Sequence, residues 1–223
     1  MLKISAIITA AGKNSRMRKD QENLNIPIQN KLTLPLKSGK YSNTVIETTI
    51  RNVLNIPNLS ECIIVVGHYS DEIMPHINKI NDSRIKVIKN NPVDVDLSVS
   101  LLNGLKNSNS NINLCVTGDQ PTISTTTYMN ILDYIINSKD PEHTISILRR
   151  KDIGVLDSAD GLGMPFAGIK NQLIKYLINE NSNLNPILRK MFDNGYEFYG
   201  VKEVNSEELI NINHYEEYLS LIK

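Results

Sequence analysis

The segment with the most chemical promise is Ala10-Ala11-Gly12-Lys13-Asn14-Ser15-Arg16-Met17, a small-residue loop that directly follows the apolar run 4–9. Small side chains let a backbone touch its ligand, and successive N–H groups in such a turn can converge on phosphate oxygens. Lys13, Arg16 and the more distant Lys31 supply the positive charge that a triphosphate requires. The spacing to a Lys-Ser or Lys-Thr pair that marks a Walker loop is missing, and one glycine is too few for a dinucleotide fingerprint. Taken alone, the loop serves either an anion or an ordinary βα turn in which Ser15 caps a helix. A second candidate is Val116-Thr117-Gly118-Asp119-Gln120-Pro121, where Asp119 follows an apolar run with a stiff turn behind it. Its carboxylate suits either a Mg²⁺ ion or turn chemistry. In Asn211-Ile212-Asn213, ahead of Glu216 and Glu217, Asn213 offers an amide oxygen to a cation or a cap to a helix.

Other reactive side chains point to no chemistry. His68, His76, His143 and His214 have no metal-ligand spacing, and structural roles are expected of them. Cys62 and Cys115 lie inside apolar runs, where a reduced cysteine packs as a small hydrophobe. They suggest neither a disulfide framework nor a metal knuckle. The 24 basic and 24 acidic residues cancel, so no summed field favours duplex nucleic acid or an anionic membrane, and a small-molecule partner is expected. No stretch approaches the ~20 apolar residues of a membrane span, and a cytoplasmic protein is the expectation.

To position these groups, the sequence supplies strands and helices in alternation. Short β-branched runs at 4–9, 62–66, 85–88, 114–117 and 144–148 read as buried strands. Helical spacing appears at Val45, Thr49, Ile50, Val53 and Leu54, at Leu97, Leu101, Leu102 and Leu105, and at Tyr128, Ile131, Leu132, Ile135 and Ile136. Residues 164–169 look extended, 173–178 and 187–192 helical, 198–204 extended again, and a last helix starts at Tyr215. Continuous apolar strands between helices predict parallel βαβ units and a doubly wound, three-layer α/β/α sandwich with a mostly parallel sheet. With 223 residues and 40% apolar content, one domain over 1–223 is expected.

The loop at 10–17 combines with Asn30-Lys31-Leu32-Thr33-Leu34-Pro35-Leu36 and with the Asp119 segment. Further along come Gly67-His68, Asn91-Pro92, Leu97-Ser98-Val99-Ser100-Leu101-Leu102-Asn103-Gly104-Leu105, Gly163-Met164-Pro165 and Asn211-Ile212-Asn213. Together, over most of the chain, these resemble the molybdenum-cofactor nucleotidyltransferase-like proteins, the MobA-like NTP transferases. Within them the chain is most similar to the cytidylyltransferases that convert molybdopterin-type cofactor to its cytosine dinucleotide form. The resemblance implies a nucleotide-diphospho-sugar transferase-like fold and transfer of CMP from CTP to a phosphorylated acceptor, with release of pyrophosphate. It implies Mg²⁺ on Asp119 and Asn213, and catalytic roles for Arg16, Lys31 and Asp119. Thr9, Ala10, Ala11, Gly12, Lys31, Ser98, Ser100 and Asp119 would contact substrate, with the two serines near the nucleobase. The implied partners are CTP, the acceptor, and a molybdoenzyme or its maturation factor. An Ala-Ala-Gly loop accompanies pyrimidine nucleotides in these families, and an Ala-Gly-Gly loop guanine. Departures are His214-Tyr215 where the family often has Thr-Pro, and Met164 where a polar residue usually precedes the proline. Segment 18–30 is also longer than the family link to the lysine, which leaves Lys13 and Lys19 as alternative cations. Rival readings are a cytidylyltransferase for a sugar or polyol phosphate and a non-catalytic cofactor-binding maturation module.

Overall fold

The computed structural model describes residues 3–36, 43–149 and 152–222. Strand β1 (Ile4–Ala10) is buried at every position, as a strand covered on both faces must be. It leads through the small-residue loop into helix α1 (Ser15–Asn23). A short ladder follows, β2 (Pro35–Leu36) antiparallel to β3 (Asn43–Thr44). Helix α2 (Val45–Leu54) starts at a capping box, in which Thr44 and Glu47 exchange side-chain and backbone hydrogen bonds. Then come β4 (Leu59–Val66), α3 (Ser70–Asn78), β5 (Ile85–Lys89), α4 (Leu97–Lys106), β6 (Ile112–Thr117), α5 (Thr125–Asn137) and β7 (Thr144–Arg149). The remaining described strands and α-helices are β8 (Gly154–Val155), β9 (Phe166–Ile169), α6 (Lys170–Leu177), α7 (Leu184–Asp193), β10 (Glu197–Lys202) and α8 (Tyr215–Leu221).

The large sheet has the order β5-β4-β1-β6-β9-β7-β10-β8. Strands β5, β4, β1 and β6 run parallel, as does the β7–β10 pair. Two strands run against the others: β9 is antiparallel to both β6 and β7, and β8 is antiparallel to β10. The sheet is therefore mixed but mostly parallel, and the α/β/α class stands. Alternate residues of β1 serve the two faces. Ile4, Ala6 and Ile8 pack with Ile46, Ile50 and Ile131 of α2 and α5. Ile7 packs on the other side with Leu101 and Leu105 of α4. Gly104 marks the closest approach there, since a Cβ would overlap the Ile7 side chain. Both cysteines are free and buried, and burial pushes the Cys62 thiol up to about 12. Among the described residues no helix is long and apolar enough to cross a membrane.

Because β1 and β6 are parallel and in register from Ile4↔Ile112 to Thr9↔Thr117, the loops that leave them emerge side by side at one edge of the sheet. Gly118 N donates to Thr9 O at 2.9 Å and ties them together. A parallel sheet opens its ligand crevice at this edge.

Candidate active site

A pocket of about 400 Å³ lies at that edge, lined by the small-residue loop from Thr9 to Gly12, by Arg16 and Lys31, by Asp119 and by Asn213. Lys31 is the lysine that reaches its centre. Its ammonium donates to Asp119 Oδ2 at 2.5 Å and to Asn213 Oδ1 at 3.4 Å. The Lys31 and Asp119 side chains are each 16% exposed, so the pair is sheltered yet open to a ligand. Asp119 is held by its own backbone, since its carbonyl accepts Ile212 N at 3.0 Å. That bond brings the 211–213 segment onto the end of β6. Asn213 does not cap the last helix; the N-cap is His214, and Glu217 Oε2 accepts the N–H groups of both residues. Its side-chain oxygen is thereby left facing Lys31.

The loop gives no side-chain cap to α1. Asn14, at the N-cap, is left-handed with φ 58° and ψ 22°. Arg16 lines the pocket, is exposed, and makes no ion pair or side-chain hydrogen bond among the described residues. Lys13 has gone elsewhere: its ammonium pairs with Asp94 at 2.6 Å on the surface and holds that carboxyl below the usual carboxylate range. The methyl of Ala11 lies against Gly67, where a Cβ would come within 2.9 Å of it.

The two serines part company. Ser100 lines the pocket, and its hydroxyl accepts from Asn90 Nδ2 at 2.8 Å while donating to Asp96 O at 3.3 Å. Ser98, expected beside the nucleobase, is fully buried and lies outside the pocket lining. Its Oγ donates to Glu180 O and accepts Ser182 N, so it joins α4 to the 180–182 turn. A hydroxyl at the start of a helix looks the same in sequence whether it faces a ligand or a neighbouring turn. Sequence reasoning also missed Asn183, a lining residue from the start of α7 that no local motif marks.

Asn211 lines both this pocket and a second cavity, and Gln120 lines the second. Gln120 Nε2 donates to Asn211 Oδ1 at 2.7 Å and to Met164 O at 3.1 Å, and its Oε1 accepts from Thr117 Oγ1. The second cavity, of about 590 Å³, is also lined by Arg149, Asp152, Asp160 and the loop from Gly161 to Met164. The Arg149 guanidinium donates to Asp160 O at 2.6 Å and to Asp152 Oδ2 at 3.2 Å. Of the histidines, His76 pairs with Glu47, His143 with Asp140 and His214 with Asp20. Among the described residues no group of three or more His, Cys, Asp or Glu gathers as a metal site.

A mostly parallel α/β/α sandwich with the first loop and Asp119 together at one edge of the sheet is the fold of a nucleotidyltransferase. More narrowly, the chain belongs to the MobA-like NTP transferase domain family, which matches over residues 6–180, and is a nucleotidyltransferase. It is similar to a nucleotidyl transferase from Methanothermobacter thermautotroptrophicus, with 40% identity, TM-score 0.88, and coverage of 98% of this chain and 95% of that one. The fold also matches 4-diphosphocytidyl-2C-methyl-D-erythritol synthase from Anaerococcus prevotii, at 18% identity and TM-score 0.69 over 99% and 94% of the two chains. A Mycobacterium tuberculosis protein solved in complex with manganese matches at 16% identity and TM-score 0.65, over 99% and 98%. No curated protein matches significantly.

Proposed function

We propose that the chain transfers CMP from CTP to a phosphorylated small molecule, with molybdopterin-type cofactor as first candidate, and releases pyrophosphate. The observation that carries this reading is the cluster of Lys31, Asp119 and Asn213 beside Arg16, which is unpaired among the described residues. A cation, the Lys31 ammonium, already sits between a carboxylate and an amide oxygen. That donor set fits Mg²⁺, which takes one or two such protein oxygens and fills its other positions with phosphate and water. Asp119 and Asn213 would hold the ion, which when bound would offset charge on the triphosphate. The manganese-bound neighbour is consistent with a divalent metal in this fold.

The remaining work falls to the chain's own groups. Thr9 to Gly12 give the triphosphate a backbone to lie against, and the uncapped start of α1 turns N–H groups toward it. Arg16 can grip two phosphate oxygens with its planar fork. Lys31 meets charge as it grows on the oxygens around the α-phosphorus. A phosphate monoester has a second pKa of about 6, so it attacks as a dianion and requires no general base. CTP is the nucleotide of choice because Ala11 lines the pocket and carries a methyl group there, where an Ala-Gly-Gly loop would leave room for guanine.

A second reading, with a sugar or polyol phosphate as acceptor, draws on the Arg149, Asp152 and Asp160 lining of the adjoining cavity, which suits hydroxyl groups. The methyl-erythritol named in one neighbour is an acceptor of that kind. Pyrophosphate release from CTP and Mg²⁺ with each acceptor in turn decides. Release with the pterin supports the first reading, and release with polyol phosphates alone replaces it by the second. CTP binding without release for any acceptor would leave a carrier and overturn both.

A further inference from the structure

We infer that Asn14 is a positioning residue for Lys31, clamping the chain at 29–31 so that the lysine stem starts from a fixed root; the inference rests on the catalytic reading of Lys31 above. Asn14 stands at the N-cap of α1, where an asparagine ordinarily accepts from the first turn of its own helix. Here it makes no such bond. Its side chain instead reaches fifteen residues down the chain: Nδ2 donates to Gln29 O at 3.1 Å, and Oδ1 accepts Lys31 N at 3.4 Å.

A second side chain completes the grip. Gln21, 1% exposed, accepts Gln29 N on its Oε1 at 3.1 Å. Both backbone polar groups of Gln29 are thus held by side chains of the preceding loop and helix, much as a partner strand would hold them. Asn30 then bends the chain into a single 3₁₀ turn, its Oδ1 accepting Leu32 N at 3.0 Å. Lys31 is the first residue of that turn, and its ammonium reaches Asp119.

The clamp explains how an unusually long segment can still deliver its lysine. A lysine stem is flexible, and its ammonium is only as well placed as its backbone. Residues 18–30 would otherwise leave that backbone free to shift. Asn14 also suits its own place, since asparagine tolerates the left-handed region better than most residues. If that tolerance were its whole purpose, glycine would replace it without kinetic consequence.

Asn14→Gly keeps the backbone freedom and deletes both clamp bonds. Pyrophosphate release from CTP and Mg²⁺, with the acceptor selected by the screen above, should show kcat lowered by about ten- to a hundred-fold, as a misplaced catalytic group does. KM for CTP should change far less. In a Lys31→Ala background the same change should lower kcat no further, because Asn14 acts through the lysine. Amide hydrogen exchange of the unliganded protein gives a reading independent of any acceptor: in Asn14→Gly the amide of residue 31, which loses its acceptor, should exchange faster, with the thermal midpoint kept near wild type. Wild-type kcat in Asn14→Gly, losses that multiply with Lys31→Ala, or unchanged exchange at residue 31 would each overturn the positioning role. Wild-type kcat in Lys31→Ala alone would instead overturn the reading of Lys31 on which it rests.

Discussion

Two lysine–carboxylate pairs stand at opposite edges of the same mostly parallel sheet, and they are built differently. At the edge where β1 begins, Glu61 is 8% exposed and fully engaged. It accepts from Ser5 Oγ at 2.7 Å, from Asn109 N at 2.5 Å and Nδ2 at 3.2 Å, and from Lys86 Nζ at 3.3 Å. At the edge where β1 ends, Asp119 accepts on its carboxylate from Lys31 alone among the described residues. One carboxylate has its lone pairs filled by the protein; the other keeps lone pairs in reserve. A buried charge that is saturated stabilises, whereas one left partly unsaturated in a crevice is available for a ligand. The difference lies in the surroundings, since the pairs themselves are chemically alike.

The sharpest way to break the contrast is Asp119→Asn, which is nearly isosteric but removes the charge. Turnover should fall about 10³-fold at equal Mg²⁺ while the fold persists, as far-UV circular dichroism and pyrophosphate release together would report. Lys31→Ala should lower kcat by roughly 2.7–4 kcal/mol in barrier, with nucleotide affinity changed less. An unchanged rate would remove Lys31 from the chemistry. Nucleotide choice comes next in size. CTP should be preferred over GTP by roughly 10- to 200-fold in kcat/KM, the worth of a methyl-sized difference, and Ala11→Gly should erode that preference. A wild-type preference for GTP would contradict the pyrimidine assignment.

The smallest effect on activity is expected at the saturated pair. Glu61→Gln should leave pyrophosphate release at pH 7 unchanged and cost about 1–3 kcal/mol of stability. Burial pushes the Glu61 carboxyl up, but the Asn109 N–H, the Ser5 hydroxyl and Lys86 outweigh it and hold the group below its usual value. The folded state therefore favours the ionised form. Its contribution is complete above the unfolded value of about 4.3 and disappears as pH falls through the lowered folded value. Denaturant unfolding of wild type and variant should converge on acidification below that range, and a gap that widens there would contradict the assignment.

The sequence made one edge of this contrast more legible than the other. β1, β4 and β6 announce themselves because a central parallel strand must be apolar throughout, and the loops after β1 and β6 are short motifs whose chemistry is local. Helix α1 gives no such sign: of its nine residues only Met17 and Gln21 are buried, so there is no apolar stripe to count. In α3 the buried positions are Ser70, Ile73 and Ile77, and Pro75 interrupts the pattern. The reversal at β9 is invisible because an apolar run carries no direction. Segment 18–30 looked like a reason to doubt Lys31, since the bonds from Asn14 and Gln21 that hold its far end join residues eight to seventeen apart. Likewise Glu61 reads as an intrusion in an apolar strand until Ser5 and Asn109 are beside it.

The account's central claim is that the reserve lone pairs at the Asp119 edge, and not the pair at the Glu61 edge, receive the metal that accompanies the nucleotide. Anomalous scattering from crystals grown with CTP and Mn²⁺ tests it most directly. The account predicts a manganese peak within bonding distance of the Asp119 carboxylate and Asn213 Oδ1, with triphosphate oxygens completing its shell and the Lys31 ammonium turned to phosphate. A triphosphate bound with its metal away from both side chains, or a peak at Glu61, would contradict it.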